Sequence, residues 1–150
     1  MDLWELVARE EIRDLVARYN ANGDTGRFEQ VLELFAPDAV MDINDGRTYT
    51  GRDEINLIFT GTRERVKEAR DRTDYDRPAY IRHMTATHQI DLVDEAHAKG
   101  RCYFQVLTPG GLDHWGRYVD EYRTVDGRWR FARRTVTTDG RVANSLFGSG

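Results

Sequence analysis

Along the first third of the chain, apolar residues recur at the spacing of one helical face. Ile12, Leu15, Val16 and Tyr19 follow i, i+3, i+4, i+7, and Leu3, Trp4 and Ala8 carry the stripe upstream. "NANGDTG" interrupts it: Asn22-Gly23 is a favourable helix stop, and Asp24 or Thr25 a favourable N-cap for a new helix. Phe28, Val31, Leu32 and Phe35 repeat the spacing in a shorter second helix that Ala36-Pro37 ends. "AVMDI" reads as a short strand closed by the turn residues "NDG". After Gly51 the positions Ile55, Ile58, Phe59, Thr62, Val66 and Ala69 predict a third helix, which runs out into the polar loop "RDRTDYDRP".

The second half changes period. Four long segments, about 79–93, 98–108, 113–124 and 128–138, are separated by "DEAH", "TPGG" and "VDG", which suit hairpin connections. Strands joined in this way form an antiparallel meander, not βαβ units. Helices first and strands afterwards indicate an α+β domain. Three helices cover one face of such a sheet, which leaves the other for a second subunit.

Composition narrows the function classes. At 150 residues the chain is most simply one domain, long enough to bury roughly 68–70% of the surface its unfolded form exposes. A net charge of −4 supplies no sequence-wide footprint for nucleic acid. No run of 18 apolar residues exists to span a bilayer, and "MDLWELVAREE" has neither the basic nor the apolar region of a signal peptide. A single cysteine, Cys102, forms no internal disulfide and no CxxC ligand pair. These features predict a soluble cytoplasmic protein. "FGSG" closes a tail, residues 141–150, that is set apart from a core of about 5–140.

Candidate chemistry centres on "YIRHMTATHQIDL", which holds two of the four histidines. In regular alternation His83, Thr85, Thr87 and Gln89 share one face and Met84, Ala86, His88 and Ile90 the other, so the two imidazoles point opposite ways unless a bulge intervenes. His88 then reads as an outer or interfacial residue. His97, in a polar hairpin, and His114, near a turn, read as solvated. Asp24 lies in the helix break, where it serves either as an N-cap worth about 1 kcal/mol or as the carboxylate that orients an imidazole. Tyr19, the last member of its stripe, is by default a core residue with its hydroxyl at the edge. No spacing of histidines and carboxylates supports a metal site, and no nucleotide-binding, zinc-protease or nucleophile-elbow motif occurs. In "RWRFARR", Trp129 and Phe131 face one way and Arg128 and Arg130 the other, which reads as a solvated strand face and not as a nucleic-acid platform.

Taken in order, "AREEIRDLVARYNANGDTGRFEQVLELFAPDAVMDI", "GRDEI", "RHMTATHQIDL" and "GRYVDEYRTVDGRWRFARR" resemble the SnoaL-like branch of the nuclear transport factor two superfamily. The resemblance implies a cone, with three helices packed on a strongly curved, mostly antiparallel sheet and a pocket at the open end. Dimerisation through the sheet is common in the family, and no cofactor or metal is implied. In its dehydratase and dehydrochlorinase members a sheet histidine and an aspartate after the first helix form a catalytic dyad. Those roles fall on His83 and Asp24. The bile-acid dehydratase type adds a tyrosine five residues earlier, at Tyr19. The scytalone type uses a second histidine, for which His88 and His114 are the loose candidates. The implied activity is a cofactor-independent lyase, a dehydratase, on a cyclic or polycyclic carbonyl compound. An isomerase or cyclase at the same site and a non-catalytic binding protein stay open as alternatives. Phe28, Phe59, Tyr49 and Trp115 are candidates to line the pocket, with core packing as the competing role. Arg117 and Arg141 are candidates to meet an anionic substrate, with surface roles as the alternative.

Overall fold

Among the described residues, three helices and six strands make up an α+β arrangement: α1 (Leu3–Asp24), α2 (Phe28–Glu33), β1 (Phe35–Ile43), β2 (Thr48–Thr50), α3 (Gly51–Arg72), β3 (Arg82–Leu92), β4 (His97–Thr108), β5 (Gly111–Val125) and β6 (Arg128–Arg141). The computed structural model describes residues 1–44, 46–72 and 80–147. Most of the polar loop predicted after α3, and the first residue of the segment predicted from 79, lie outside the described residues. The strands form one curved, unclosed sheet in the order β2-β1-β6-β5-β4-β3. All neighbours are antiparallel except β1 and β6.

The first helical stripe buries Ala8, Ile12, Leu15, Val16 and Tyr19, whereas Leu3 and Trp4 are exposed. Apolar periodicity near a helix start therefore overstated the buried face. Helix α1 also runs on through Asn22-Gly23 to Asp24, so the predicted break comes later. Thr25 bonds back through Oγ1 to the Ala21 carbonyl at 2.8 Å, and Arg27 precedes α2, so neither Asp24 nor Thr25 caps the second helix. Phe35 belongs to β1, where it is fully buried and pairs with Phe131; Pro37 sits inside that strand. Pairing between β1 and β6 is irregular between Phe35 and Val40, a place where proline's missing N–H is tolerated.

Strands β4 and β5 alternate cleanly. Ala98, Cys102, Phe104 and Val106 on β4, and Tyr118, Asp120 and Tyr122 on β5, point inward. Gly100 continues the inner row because the Tyr122 ring lies against it: a Cβ there would stand 2.8 Å from Tyr122 Cε2. Burial pushes the Cys102 thiol up to about 11, so it behaves as a small core hydrophobe.

Two irregularities break the alternation and reverse inside and outside. On β3, Ala86 pairs with Tyr103 but Gln89 with Arg101, so one extra residue is inserted. Thr87 absorbs it at φ 56°, a left-handed conformation that a β-branched residue rarely adopts. His83 and His88 consequently face the same side, and the expectation of opposite faces is corrected. On β6, Phe131 pairs with Tyr122 but Arg133 with Glu121, and the shift turns Arg134 inward behind Trp129 and Phe131. The solvated-face reading of the arginines therefore fails at Arg134.

Candidate active site

Asp24 is the last residue of α1, where the helix dipole disfavours a negative charge. Its oxygens are used in tertiary contacts instead of capping. Oδ2 accepts the backbone N–H of His83 at 2.9 Å, and Oδ1 lies 2.6 Å from His83 Nδ1. A carboxylate offers only acceptors, so Nδ1 carries the hydrogen and Nε2 of the neutral ring is left as the basic nitrogen. The pair is largely withdrawn from solvent, with side-chain exposures of 20% for His83 and 8% for Asp24.

Both residues border a cavity of about 550 Å³ between the helices and the concave face of the sheet. Phe28, Phe59, Met41, Ile43, Phe104 and Val136 contribute apolar walls. Tyr19 and Tyr118 also line it. Tyr19 is packed edge-on against Phe35, Phe59, Tyr118 and Phe131 at centroid distances of 5.7 to 6.0 Å. Burial pushes the Tyr19 phenol up, so it stays a hydrogen-bond donor. Tyr118 donates to Asn20 Oδ1 at 3.2 Å.

A buried ionic layer supports these tyrosines. Arg134 and Asp120 are both fully buried side chains, joined by two bonds of 2.8 and 2.9 Å. The guanidinium carbon stands 4.3 Å from the Tyr19 ring centre and 3.8 Å from that of Tyr118, a desolvated cation–π arrangement. Tyr122 donates to the same carboxylate at 2.9 Å, and the inward-turned His88 reaches the Tyr122 hydroxyl at 3.3 Å. His88 is thus tied to the core under the cavity instead of sitting on the outer face. Burial holds its pKa below the ordinary histidine value.

The solvated reading of His114 is also corrected. It lines the cavity, and its Nδ1 lies 2.7 Å from Oδ2 of the buried Asp113. Burial lowers its pKa despite that carboxylate. Asp113 further accepts from Ser145 Oγ at 2.6 Å and from the Leu146 N–H at 2.7 Å. Burial alone would raise its pKa, yet the bonds from Ser145, His114 and Leu146 together hold it low. The carboxyl-terminal segment, which the sequence pattern set apart from the core, is thereby strapped across the site. Leu146 and Phe147 line the cavity, and the Phe147 ring meets His114 edge-on at 5.3 Å.

Of the predicted site residues, His83, Asp24, Tyr19, Phe28 and Phe59 therefore converge on one cavity. Tyr49 packs against the core from β2 and is not among the lining residues. Trp115 is on the outer face of the sheet, its ring laid over Gly140, where a Cβ would stand 2.5 Å from Trp115 Cζ2. Arg117 pairs with Asp139 at the surface, whereas Arg141 reaches the cavity. Sequence reasoning missed Asp113, Asp120 and Arg134, and held His114 only as a loose candidate for the second histidine of the scytalone type. The adjacent pair "DH" gave no distinctive signal, because its strand also carries Arg117, Asp120, Glu121 and Arg123. Among the described residues no cluster of three or more His, Cys, Asp or Glu side chains has a metal-binding arrangement. No described helix is long and apolar enough to cross a membrane.

Comparison with known proteins agrees with the architecture. The crystal structure of LinA superposes with a TM-score of 0.77 at 19% identity, covering 99% of each chain. A scytalone dehydratase-like protein from Novosphingobium aromaticivorans DSM 12444 gives 0.75 at 23% identity over 100% of both chains. An NTF2-like protein with a cystatin-like fold from Novosphingobium aromaticivorans gives 0.72 at 25% identity, over 99% of this chain and 98% of that one. No curated protein matches by sequence. The family model for the SnoaL-like domain matches residues 4–135, which span all three helices and most of the sheet. The chain therefore belongs to the SnoaL-like family, whose members include dehydratases, isomerases and cyclases.

Proposed function

We propose that this protein is a cofactor-independent lyase of the dehydratase type, acting on a carbonyl-bearing cyclic or polycyclic small molecule. One observation carries the reading. A single carboxylate, Asp24, grips both the backbone N–H and the ring Nδ1 of His83, which leaves Nε2 as the basic atom beside an apolar cavity. In the proposed reaction Nε2 removes a proton from the carbon next to the substrate carbonyl. The imidazolium that forms is stabilised by Asp24, and the C–H electron pair moves into an enolate. Tyr19, a donor kept protonated by burial, hydrogen-bonds the enolate oxygen. As the enolate collapses, the C–O bond at the β-carbon breaks. The departing hydroxide takes the proton that His83 accepted, so one water leaves and the dyad returns to its starting state.

His114 gives a second reading for the final step. Held through Nδ1 by Asp113 and kept neutral by burial, it borders the same cavity and can take over the proton that His83 removed and return it to the leaving group. An isomerase or cyclase would share the first proton transfer and differ in the fate of the enolate. A non-catalytic binding protein would not carry it out. The experiment that tests the proposal follows a panel of cyclic β-hydroxyketones in D₂O by NMR, recording α-deuteration and alkene formation. His83→Ala and Asp24→Asn are each expected to slow both by about 10²–10⁴-fold, the range of general-base catalysis, with the fold retained. Undiminished exchange in either variant would sink the mechanism.

The outer sheet face supports a second proposal, a homodimer through the sheet. Met84, Tyr103, Trp115 and Val119 are exposed there, Tyr103 at 59%. Light scattering on the purified chain is expected to report a dimer that Tyr103→Lys weakens. A wild-type monomer at micromolar concentration would exclude it.

A further inference from the structure

We infer that Tyr118 is a second phenolic donor to the ligand's oxygen, beside Tyr19, and that Asn20 is the positioning residue that releases its O–H to the cavity. The inference rests on the proposed reaction for the carbonyl and adds the groups that hold the oxygen of that carbonyl.

Asn20 is the odd member of its helix face. Ala8, Ile12, Leu15, Val16 and Tyr19 give α1 an apolar inner side, yet Asn20 is only 7% exposed among them. Four residues before Asp24, it lies on the same side of the helix as the dyad carboxylate. Its Oδ1 accepts from the Tyr118 hydroxyl at 3.2 Å, while Nδ2 is buried without a partner. Buried polar groups are nearly always paired, so an orphaned amide in a residue that borders the cavity calls for an explanation.

A carboxamide can turn either end to the same neighbour. In one orientation Tyr118 uses its single hydrogen on Oδ1, and none is left for a ligand. Turned over, Nδ2 donates to the Tyr118 oxygen, which satisfies the orphan and frees the O–H. A buried carbonyl oxygen short of a partner is met more often than an orphaned N–H. A ligand oxygen accepts from Tyr118 only in the second orientation, so its binding shifts the population that way.

The ring itself is fixed. It stacks on Phe104 at 4.7 Å, meets Tyr19 edge-on at 5.9 Å and lies 3.8 Å from the Arg134 guanidinium carbon. Only the direction of its O–H is left to change. Burial pushes the phenol well above its ordinary value, so this proton stays on Tyr118 while the one removed from carbon goes to His83. Two phenols donating to one oxygen, in a site withdrawn from water, stabilise the negative charge that develops there.

The probe is para-nitrophenol, whose neutral and anionic forms differ in absorbance. The apparent pKa of the bound probe therefore reads how strongly the site favours an oxyanion. Tyr118→Phe, which keeps the ring, should raise that pKa by about one to two units, the effect of losing one hydrogen bond to a charged oxygen. Asn20→Leu should raise it by less, and should add nothing in the Tyr118→Phe background, because Asn20 acts through Tyr118. The ether para-nitroanisole, which cannot ionise, should bind all variants alike and so report an intact cavity. Failure of the wild type to bind para-nitrophenol at millimolar concentration would overturn the inference. So would a bound pKa that Tyr118→Phe leaves unchanged, or an Asn20→Leu effect that persists in full without the Tyr118 hydroxyl. Any of these leaves the proton-transfer proposal standing, because that proposal is read by deuteration. The expected pKa shifts with no exchange on any ketone would instead remove the lyase and keep this inference.

Discussion

Asp120→Ala is the substitution whose consequence the structure specifies most fully. It removes the carboxylate to which Arg134 donates through Nε and Nη2, in a place where both side chains are 0% exposed. Burial opposes the guanidinium's charge, but Asp120 more than offsets it and holds the Arg134 pKa above its ordinary value. Without Asp120 a buried cation stays behind with Nη1 already lacking a partner. Breaking such a pair from one side costs about 3–5 kcal/mol. The Tyr122 hydroxyl loses its acceptor as well, adding roughly 1 kcal/mol. Total stability for a domain is about 5–15 kcal/mol, so the variant should be close to unfolding. At about 2–4 °C per kcal/mol for this size, the melting temperature should fall by about 8–24 °C. Urea denaturation followed by circular dichroism measures the loss, with calorimetry as the check. A decrease below about 1 kcal/mol would refute the reasoning, since it would mean that water or another group reaches Arg134. The double variant Asp120→Leu, Arg134→Leu supplies the control. It should recover most of the loss, because removing both charges leaves nothing buried and unpaired.

Other consequences arise from individual contacts. Burial lowers the pKa of both His88 and His114 below 6.5, so the folded state keeps them neutral where the unfolded chain takes up protons. Stability should therefore be full above pH 6.5 and decline as the pH falls below it, and His88→Gln with His114→Gln should flatten that part of the profile. Deleting residues 142–150 should leave the sheet folded while exposing His114 and releasing Asp113 from Ser145 and Leu146. The His114 pKa should then rise toward 6.5 in an NMR titration, and an unchanged titration would count against the strap. Thr87→Asn should raise stability by about 1 kcal/mol, because asparagine tolerates the left-handed region and a β-branched residue does not. A lower melting temperature would show that the threonine contributes something the backbone strain does not reveal.

The sequence by itself determined the class of fold and the order of its parts. Helical spacing located α1 and α3, and hairpin signals between long alternating segments located β3 to β6, because these signals arise from neighbours a few residues apart. Resemblance added His83, Asp24 and Tyr19 as a set, and the structure brings these three to one cavity. What tertiary structure decided was the direction in which several side chains point. Alternation counts residues in twos, and a single extra residue reverses everything beyond it. The bulge at Thr87 turned His88 inward, and the register shift on β6 brought Arg134 under Tyr19. Neither insertion leaves a mark in composition or period, since each is set by pairing with a different strand. The strap is invisible for the same reason: Ser145 and Leu146 meet Asp113 across more than thirty positions of chain. Local physics selects helix or strand, whereas the face a side chain presents is settled only when the sheet closes its register around the buried Arg134–Asp120 pair.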